Sequence, residues 1–591
     1  MNSKKYKDVF YQFRYISDLK DMLNTSAELF AKEPAYLVKD TPGGPYRPVL
    51  YEQVKRDVDA LGTRLLDLGL KGKKIAVIGE NSYKWVVSYL GTVCGTGVVV
   101  PLDKELPPKE IANLLKRAEA DAIIYSKKMK EDVDEALAEA GGLSCRINME
   151  LDQHTDGELA FDQLLAEGRM LLAKGERAFL DAVVDREAMC TLLFTSGTTG
   201  LAKGVMLSHK NISANVYNMS KYVKIRQPGV GLSVLPMHHS YELTCHIFTG
   251  MYQGMCVAIC EGLRYIQKNL KESKATVMLG VPLVFESMHK KVWKQAESSG
   301  KLETMRRMVN LSKKLKLYNK PKVVRSIFSQ LHHSIGGHME LFVAGGAAVN
   351  PEVIRDYEAM GVPMIQGYGM TENAPIIAVN RDWYSKADSV GKPMPGTEVR
   401  IVNPDKDGIG EIICRGPSVM IGYYNDPEAT EEVLKNGWLY TGDYGRFDEE
   451  GFLYICGRKK NVIVTKNGKN IFPEEVEYYL LQSKYIEETV VYGTLDKKSG
   501  DTVVRAEIFP DFEAIREDAG ELSEEAFHSF MKTVVDEANE QMPLYKRVKR
   551  FRIRNEEFEK TTTRKIKRHT AIPKEALEED GFESERKGEN E

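Results

Sequence analysis

Between Val54 and Tyr125 the chain switches several times between a helical and an extended hydrophobic period, and this alternation limits the fold more than any other feature. Val54, Val58, Leu61, Leu65 and Leu68 recur at steps of 4, 3, 4 and 3, which lines one face of a helix ending at Gly69. The apolar run Ile75 to Ile78 follows as a strand. After Asn81 and Ser82 come a helical stretch, a strand over Gly97 to Val100, a helix opened by Pro107 and Pro108, and a strand over Ala122 to Tyr125. The pattern returns with a strand at Leu341 to Val343, a helix from Pro351 and a strand at Pro363 to Gln366. Strands that alternate with helices form parallel sheets covered on both faces, with ligands in the loops at the strand carboxyl ends. The expected fold class is α/β.

The 591 residues exceed the roughly 250 to 300 at which one hydrophobic core stops growing, so more than one domain is expected. Lys+Arg 82 against Asp+Glu 85 gives a formal charge of -3, which leaves no global basic field to attract nucleic acid. The 8 Cys contain no C-x-x-C pair and read as reduced thiols in a cytoplasmic chain, not a zinc site. The amino terminus is charged at short intervals and lacks a signal-peptide core. Trp85 to Leu102 and Leu243 to Cys260 each run 18 residues without Asp, Glu, Lys or Arg. A membrane span needs about 20 predominantly apolar residues. Both runs are broken by Gly and Thr, so they read as buried helix and strand, and no transmembrane segment is expected.

From Gly391 the texture changes to short runs punctuated by Gly, Pro, Asn and Asp, which reads as antiparallel strands with tight turns. A smaller α+β unit follows, with helices from Pro473 and over Ser523 to Met542. The polar sequence Gly457 to Asn461 marks the expected crossing. It divides residues 1–456 from 462–573, with 457–461 as hinge. Residues 574–591 carry 8 acidic and 3 basic side chains and are expected to form a disordered tail.

The most informative segment is LLFTSGTTGLAKGVMLSH, Leu192 to His209, where an apolar run stops at Thr195 and gives way to hydroxyls and three glycines. Gly197, Gly200 and Gly204 let backbone approach a phosphate, Thr195, Ser196, Thr198 and Thr199 supply hydroxyls, and Lys203 supplies charge. The Walker pattern fails, because Ala202 precedes Lys203 and Gly204 replaces the magnesium-binding hydroxyl.

TSGTTGLAKGV resembles the signature of the AMP-forming acyl-CoA synthetase (adenylate-forming) superfamily. Further matches follow in that family's order: LPMHHSYE (Leu235 to Glu242), VAGGAAV (Val343 to Val349), QGYGMTE (Gln366 to Glu372), YTGD (Tyr440 to Asp443), GRKK (Gly457 to Lys460) and TTTRKIKR (Thr561 to Arg568). The resemblance implies a large amino-terminal domain of parallel and mixed sheets covered by helices, with a distorted antiparallel part, and a small mobile α+β carboxyl-terminal domain. It implies two half-reactions. A carboxylate attacks the α-phosphate of Mg-ATP to give an acyl-adenylate and pyrophosphate, and a thiol then displaces AMP.

By the same resemblance, Thr195 to Lys203 form the phosphate cradle and Glu372 is the Mg2+ ligand, a hard oxygen donor. Thr371 donates to the α-phosphate. Tyr368, beside Gly369, stacks on adenine, Gly345, Gly346 and Ala347 leave room against the purine, and Asp443 accepts from the ribose hydroxyls. Arg458 reaches ribose or phosphate, Lys460 falls on the hinge, and Gly468 lies past the pantetheine arm of coenzyme A. Lys565 falls on the catalytic lysine that bridges attacking carboxylate and α-phosphate. Arg564 stands where the family has Gly, which leaves Lys567 as a competitor. His239 falls beside the acyl carbonyl, with Tyr241 near it.

No Asp occupies LPMHHSYE to hold a substrate ammonium, which disfavours amino acids. SIFSQLHHSIGGHMELFVAGGAAV and the basic helical insertion before it, from Lys301, resemble the long-chain fatty acid CoA ligase branch. The expected partners are a fatty acid, ATP and coenzyme A, with no nucleic acid. Aryl or medium-chain acids, and transfer to a carrier protein, remain alternatives, as does a nucleotide-binding regulatory protein of the same fold. Pro543 to Thr570 holds 11 basic and 3 acidic residues, a local surplus suited to a CoA phosphate or to peripheral contact at the inner membrane surface, although such runs are usually solvated faces.

Overall fold

The computed structural model describes residues 10–195, 202–465, 469–496, 501–561 and 565–573. The expected tail, 574–591, lies outside them. Two sheets organise the first 400 residues. In the eight-stranded sheet the strands Met189–Thr195, Val98–Leu102, Lys74–Ile78, Ala122–Tyr125, Cys145–Asn148 and Leu159–Ala160 neighbour one another in that order and all pair in parallel. In the nine-stranded sheet the parallel centre runs Met364–Gly369, Leu341–Ala344, Val277–Gly280, Val230–Ser233, Cys256–Ile259 and Pro34–Val38. Antiparallel strands finish both edges of that sheet.

Strand side chains alternate between faces, and both faces of these sheets are buried. Ile75 and Val77 enter a core shared with Val257, Val277 and Leu279 of the other sheet. Ala76 and Ile78 enter a separate core with Ile111, Leu115 and Val133 of flanking helices. Met278 and Phe342 face a third, against Phe285, Val324 and Tyr357. Continuous apolar strands such as Ala122–Tyr125 follow from this double coverage.

The helices form where period and caps allow. Tyr51–Asp67 carries the 4-3-4-3 stripe and buries Val54, Val58, Leu61 and Leu65, and Gly69 after it takes φ +78°. Ser82 caps Tyr83–Val93 by accepting from the Trp85 backbone N–H. Pro108 opens Pro108–Ala118. The two long uncharged runs resolve into buried helix followed by strand, Tyr83–Val93 then Val98–Leu102, and a π-helix Tyr241–Phe248 and α-helix Thr249–Gln253 then Cys256–Ile259. No helix among the described residues is long and apolar enough to cross a membrane, and the eight cysteines are unpaired.

Lys203–Ser208 forms a strand antiparallel to Met189–Thr195, with Thr195 opposite Lys203. Lys203–Ser208 was not expected as a strand because its glycine and lysine mask the apolar Val205 and Leu207.

The chain divides into two compact units, Met1–Val399 with Ile413–Tyr440 and Gly451–Leu453, and Arg400–Ile412 with Thr441–Glu450 and Tyr454–Glu591. Gly457 to Asn461, the expected crossing, lies within the second unit's chain. That unit holds a three-stranded sheet of Ile486–Asp496, Asp501–Pro510 and Arg550–Ile553. Helices Pro473–Leu480 and Glu524–Glu540 contribute Leu480, Met531 and Val535 to its core, with Val504 and Ile508 from the sheet. Ser523 caps the longer helix.

Candidate active site

In the first unit the residues singled out by sequence lie at or just beyond the carboxyl ends of parallel strands, with Lys203 paired opposite Thr195, where open α/β sheets bind ligands. Glu372 occupies a 3-10 turn, Thr371–Asn373, directly after Met364–Gly369. It is buried, and its Oε1 accepts a 2.9 Å hydrogen bond from the Tyr423 hydroxyl. Burial and the Glu372 carboxylate both push the Tyr423 phenol well up, so it stays a donor. Lys203 lies over the Tyr423 ring, 4.9 Å from its centroid, and 4.0 Å from Glu432. Tyr423 therefore joins the cradle lysine to the acidic residue. Its edge strand, Gly422–Tyr423, pairs with Val205 and Met206, a long-range pairing that gave the sequence no local signal.

Thr195 Oγ1 donates to the Lys203 carbonyl at 3.4 Å. Ser196, Gly197, Thr198, Thr199 and Gly200 lie outside the described residues. Thr371 Oγ1 is 3.3 Å from Ser240 Oγ, which links the MTE turn to the LPMHHSYE loop. Tyr368 is partly buried against the shared core, and a Cβ on the neighbouring Gly369 would meet the Pro375 carbonyl at 2.2 Å. Gly346, at φ +88°, and Ala347 are exposed. The Tyr241 ring packs beside Gly345, where a Cβ would meet its Cζ at 2.8 Å. Tyr241 in turn donates to the Val343 carbonyl at 3.1 Å.

The LPMHHSYE loop follows the strand Val230–Ser233 and is tied to the other sheet by Asn81. That side chain donates to the Leu235 carbonyl at 2.6 Å and accepts from the Met237 N–H at 2.9 Å. His239 is partly buried, with its ring 4.2 Å from that of His238. Below the loop, Glu242 is fully buried and accepts from Ser233 Oγ at 2.6 Å, with His246 Nδ1 at 2.8 Å. Glu242 and Asn81 received no role from sequence because their partners are remote in the chain.

In the second unit Asp443, Arg458 and Lys565 act on one another. Asp443 is buried, takes an N–H bond to Thr441 Oγ1 at 3.1 Å, and pairs with Arg458 Nε at 3.1 Å. Surrounding protein and the Arg458 charge lower the Lys565 pKa, against the pull of Asp443. Lys565 keeps solvent contact, which tempers the effect. The competitor Lys567 instead stands 3.9 Å from Glu559. Lys460 is exposed on the turn Lys459–Asn461, and Gly468 lies outside the described residues.

Parallel strands with Lys203, Tyr423 and the buried Glu372 at their carboxyl ends define an α/β protein with its ligand site at the place usual for that class. The family can be stated as well. A model described as "AMP-binding enzyme" matches residues 23–424 and one described as "AMP-binding enzyme C-terminal domain" matches 460–579, so the chain belongs to the AMP-binding enzyme family. It is 27% identical over 555 residues to a chloroplastic long-chain-fatty-acid–acyl-carrier-protein ligase of Arabidopsis thaliana, covering 82% of this chain and 76% of that one. It is 28% identical over 532 residues to a long-chain-fatty-acid–CoA ligase of Escherichia coli, covering 83% and 85%. The fold is similar to that of an anthranilate CoA ligase solved with anthranoyl-AMP, at a TM-score of 0.74 and 21% identity over 96% of this chain and 98% of that one.

Proposed function

We propose that this protein activates a long-chain fatty acid in two steps. The carboxylate attacks the α-phosphate of ATP, giving acyl-AMP and pyrophosphate, and the coenzyme A thiol then displaces AMP. The observation that carries the reading is the grouping of Lys203, Tyr423, Glu372 and Thr371 after the strand ends in a chain of the AMP-binding enzyme family. In this reading Lys203 and the hydroxyls and glycines of Thr195 to Gly200 hold the phosphates, Thr371 donates to the α-phosphate, and Tyr368 stacks on adenine. Glu372 would hold Mg2+: its charge and oxygen donors suit that hard cation, and Tyr423 fixes its orientation. Asp443 would take the ribose hydroxyls, with Arg458 beside it, and Lys565 would neutralise charge as the α-phosphate is attacked. Two relatives named for long-chain fatty acids support the substrate class, and one of them, named for a carrier protein, keeps that acceptor as a second reading.

The chain would work in the cytoplasm with peripheral contact at an anionic bilayer. Between Pro282 and Ile327 it carries 12 Lys and Arg against 3 Asp and Glu. Leu311 and Leu315 on one helix, and Val323 and Ile327 on the next, are 39–57% exposed. Positive charge around exposed apolar side chains suits anionic lipid.

Pyrophosphate release with ATP and a panel of acids, followed by transfer to coenzyme A or to a carrier protein, tests the reading. Long-chain acids should give the highest rates and coenzyme A should discharge the adenylate. Absence of acid-dependent pyrophosphate release would leave a nucleotide-binding regulatory protein instead.

A further inference from the structure

We propose that Asp103, His238 and His239 form a site for a Zn2+-type divalent cation, one that clamps the His239 ring when filled. Asp103 follows the strand Val98–Leu102 of the eight-stranded sheet, and the two histidines follow Val230–Ser233 of the nine-stranded one. The site therefore spans the carboxyl ends of both sheets. One ligand atom from each residue lies within 4.8 Å of the others.

Two further observations point to a cation. His238 is 9% exposed, and its Nε2 is buried without a hydrogen-bond partner. An unsatisfied buried polar atom is costly. Asp103 Oδ2 stands only 3.4 Å from that nitrogen, yet the geometry makes no hydrogen bond. Asp103 is itself held in place, since its Oδ1 accepts the Glu105 N–H at 3.0 Å. In the tautomer that aims the Nε2 lone pair at the carboxylate, a cation between the two would satisfy both. Tetrahedral Zn2+ with bonds of about 2.1 Å separates its ligands by about 3.4 Å, which is the separation found here. The His239 ring need only turn toward the pair to complete three ligands, and a fourth position stays open.

Two imidazoles and one carboxylate favour a borderline ion such as Zn2+ or Co2+ over Mg2+, which prefers oxygen throughout. This site is chemically distinct from Glu372. The clamp rests on the reading that places His239 beside the acyl carbonyl: a ring held by a cation cannot move with the entering acid.

The test uses the full-length protein stripped with a chelator and titrated with Zn2+ by calorimetry and with Co2+ by absorption. The wild type should bind one equivalent more than either His238→Gln or Asp103→Asn, and Zn2+ should raise its melting temperature, as ligand linkage requires, while leaving those of the variants unmoved. Co2+ should show the bands of nitrogen and oxygen ligands. Equal binding by wild type and both variants, or a thiolate charge-transfer band accounting for the bound Co2+, overturns the site. For the clamp, acid-dependent pyrophosphate release is compared with and without buffered free Zn2+ within each protein. A loss of tenfold or more in the wild type, reversed by chelator and absent in the variants, supports it. Stoichiometric binding with undiminished release overturns the clamp while the site stands.

Discussion

Lys565 and Lys567 are separated by one residue; the spacing from Thr561 and the following Ile566 favour Lys565, and the charges around the two lysines differ as well. Lys565 lies in the field of Arg458 and Asp443, whereas Lys567 stands beside Glu559. Lys565→Ala should therefore slow adenylate formation while sparing thioester formation from a supplied acyl-adenylate. A lost transition-state contact of this kind is worth about 3 to 4 kcal/mol. Single-turnover measurement of each half-reaction checks this, and a larger loss in Lys567→Ala would move the role to that residue. The same surroundings set a pH dependence. Lysine works here as the ammonium, and its lowered pKa means that it deprotonates below the ordinary value of about 10.4. The alkaline limb of adenylation should therefore begin below that pH. Arg458→Gln removes a repelling charge and frees Asp443 to favour the ammonium, so it should move the limb upward. A limb unchanged in that variant would detach it from Lys565. Glu372→Gln should raise the Mg2+ concentration needed for half-maximal adenylation, because an amide oxygen lacks the charge a hard cation prefers; an unchanged titration would remove Glu372 from the metal.

At the scale of elements, the helices between Pro282 and Ile327 do two jobs with opposite faces. Phe285, Val309 and Val324 fill the core on the outer side of the nine-stranded sheet, while Leu311, Leu315, Val323 and Ile327 stay exposed. The exposed set is spaced i, i+4 on each helix, which places each pair on one face. If that face meets lipid, the protein should float with vesicles containing phosphatidylglycerol and not with phosphatidylcholine alone. Leu311→Ser with Leu315→Ser should reduce flotation, and salt should weaken it. Flotation equal on neutral vesicles, or untouched by the double substitution, would count against this surface. Stability should change little, since neither leucine is part of the core.

For the whole molecule, the proposed cycle assigns Lys565 and Gly468 to different half-reactions although both belong to the second unit. A turn of that unit about a few residues would reconcile the two roles. The sequence places this pivot at Lys460, on the exposed Lys459–Asn461 turn. Proline fixes φ near about -65°, so Lys460→Pro should release pyrophosphate in a single turnover and then accumulate bound acyl-AMP that coenzyme A cannot discharge. Equal losses in both half-reactions would signal misfolding, and normal turnover would put the pivot elsewhere.

Hydrophobic period and punctuation determined most of the elements of the parallel sheets, though not the strands Lys203–Ser208 and Gly422–Tyr423. The apolar run Ala122–Tyr125 needs both sheet faces covered, and Pro351 and Pro473 each open the helix they promised. Local chemistry also marked Thr195 to Lys203 as a stretch suited to oxyanions, because its hydroxyls, glycines and lysine lie close together, whereas the MTE turn and Lys565 were singled out by resemblance to the family. Tertiary structure decided what depends on partners far apart in sequence. It set Tyr423 between Lys203 and Glu372, filled the space beside Gly345 with Tyr241, tied the LPMHHSYE loop to Asn81, and brought Asp103 against His238. Periodicity reports which face of an element is buried, but it says nothing of which remote side chain will meet it there, since that follows from strand order and register.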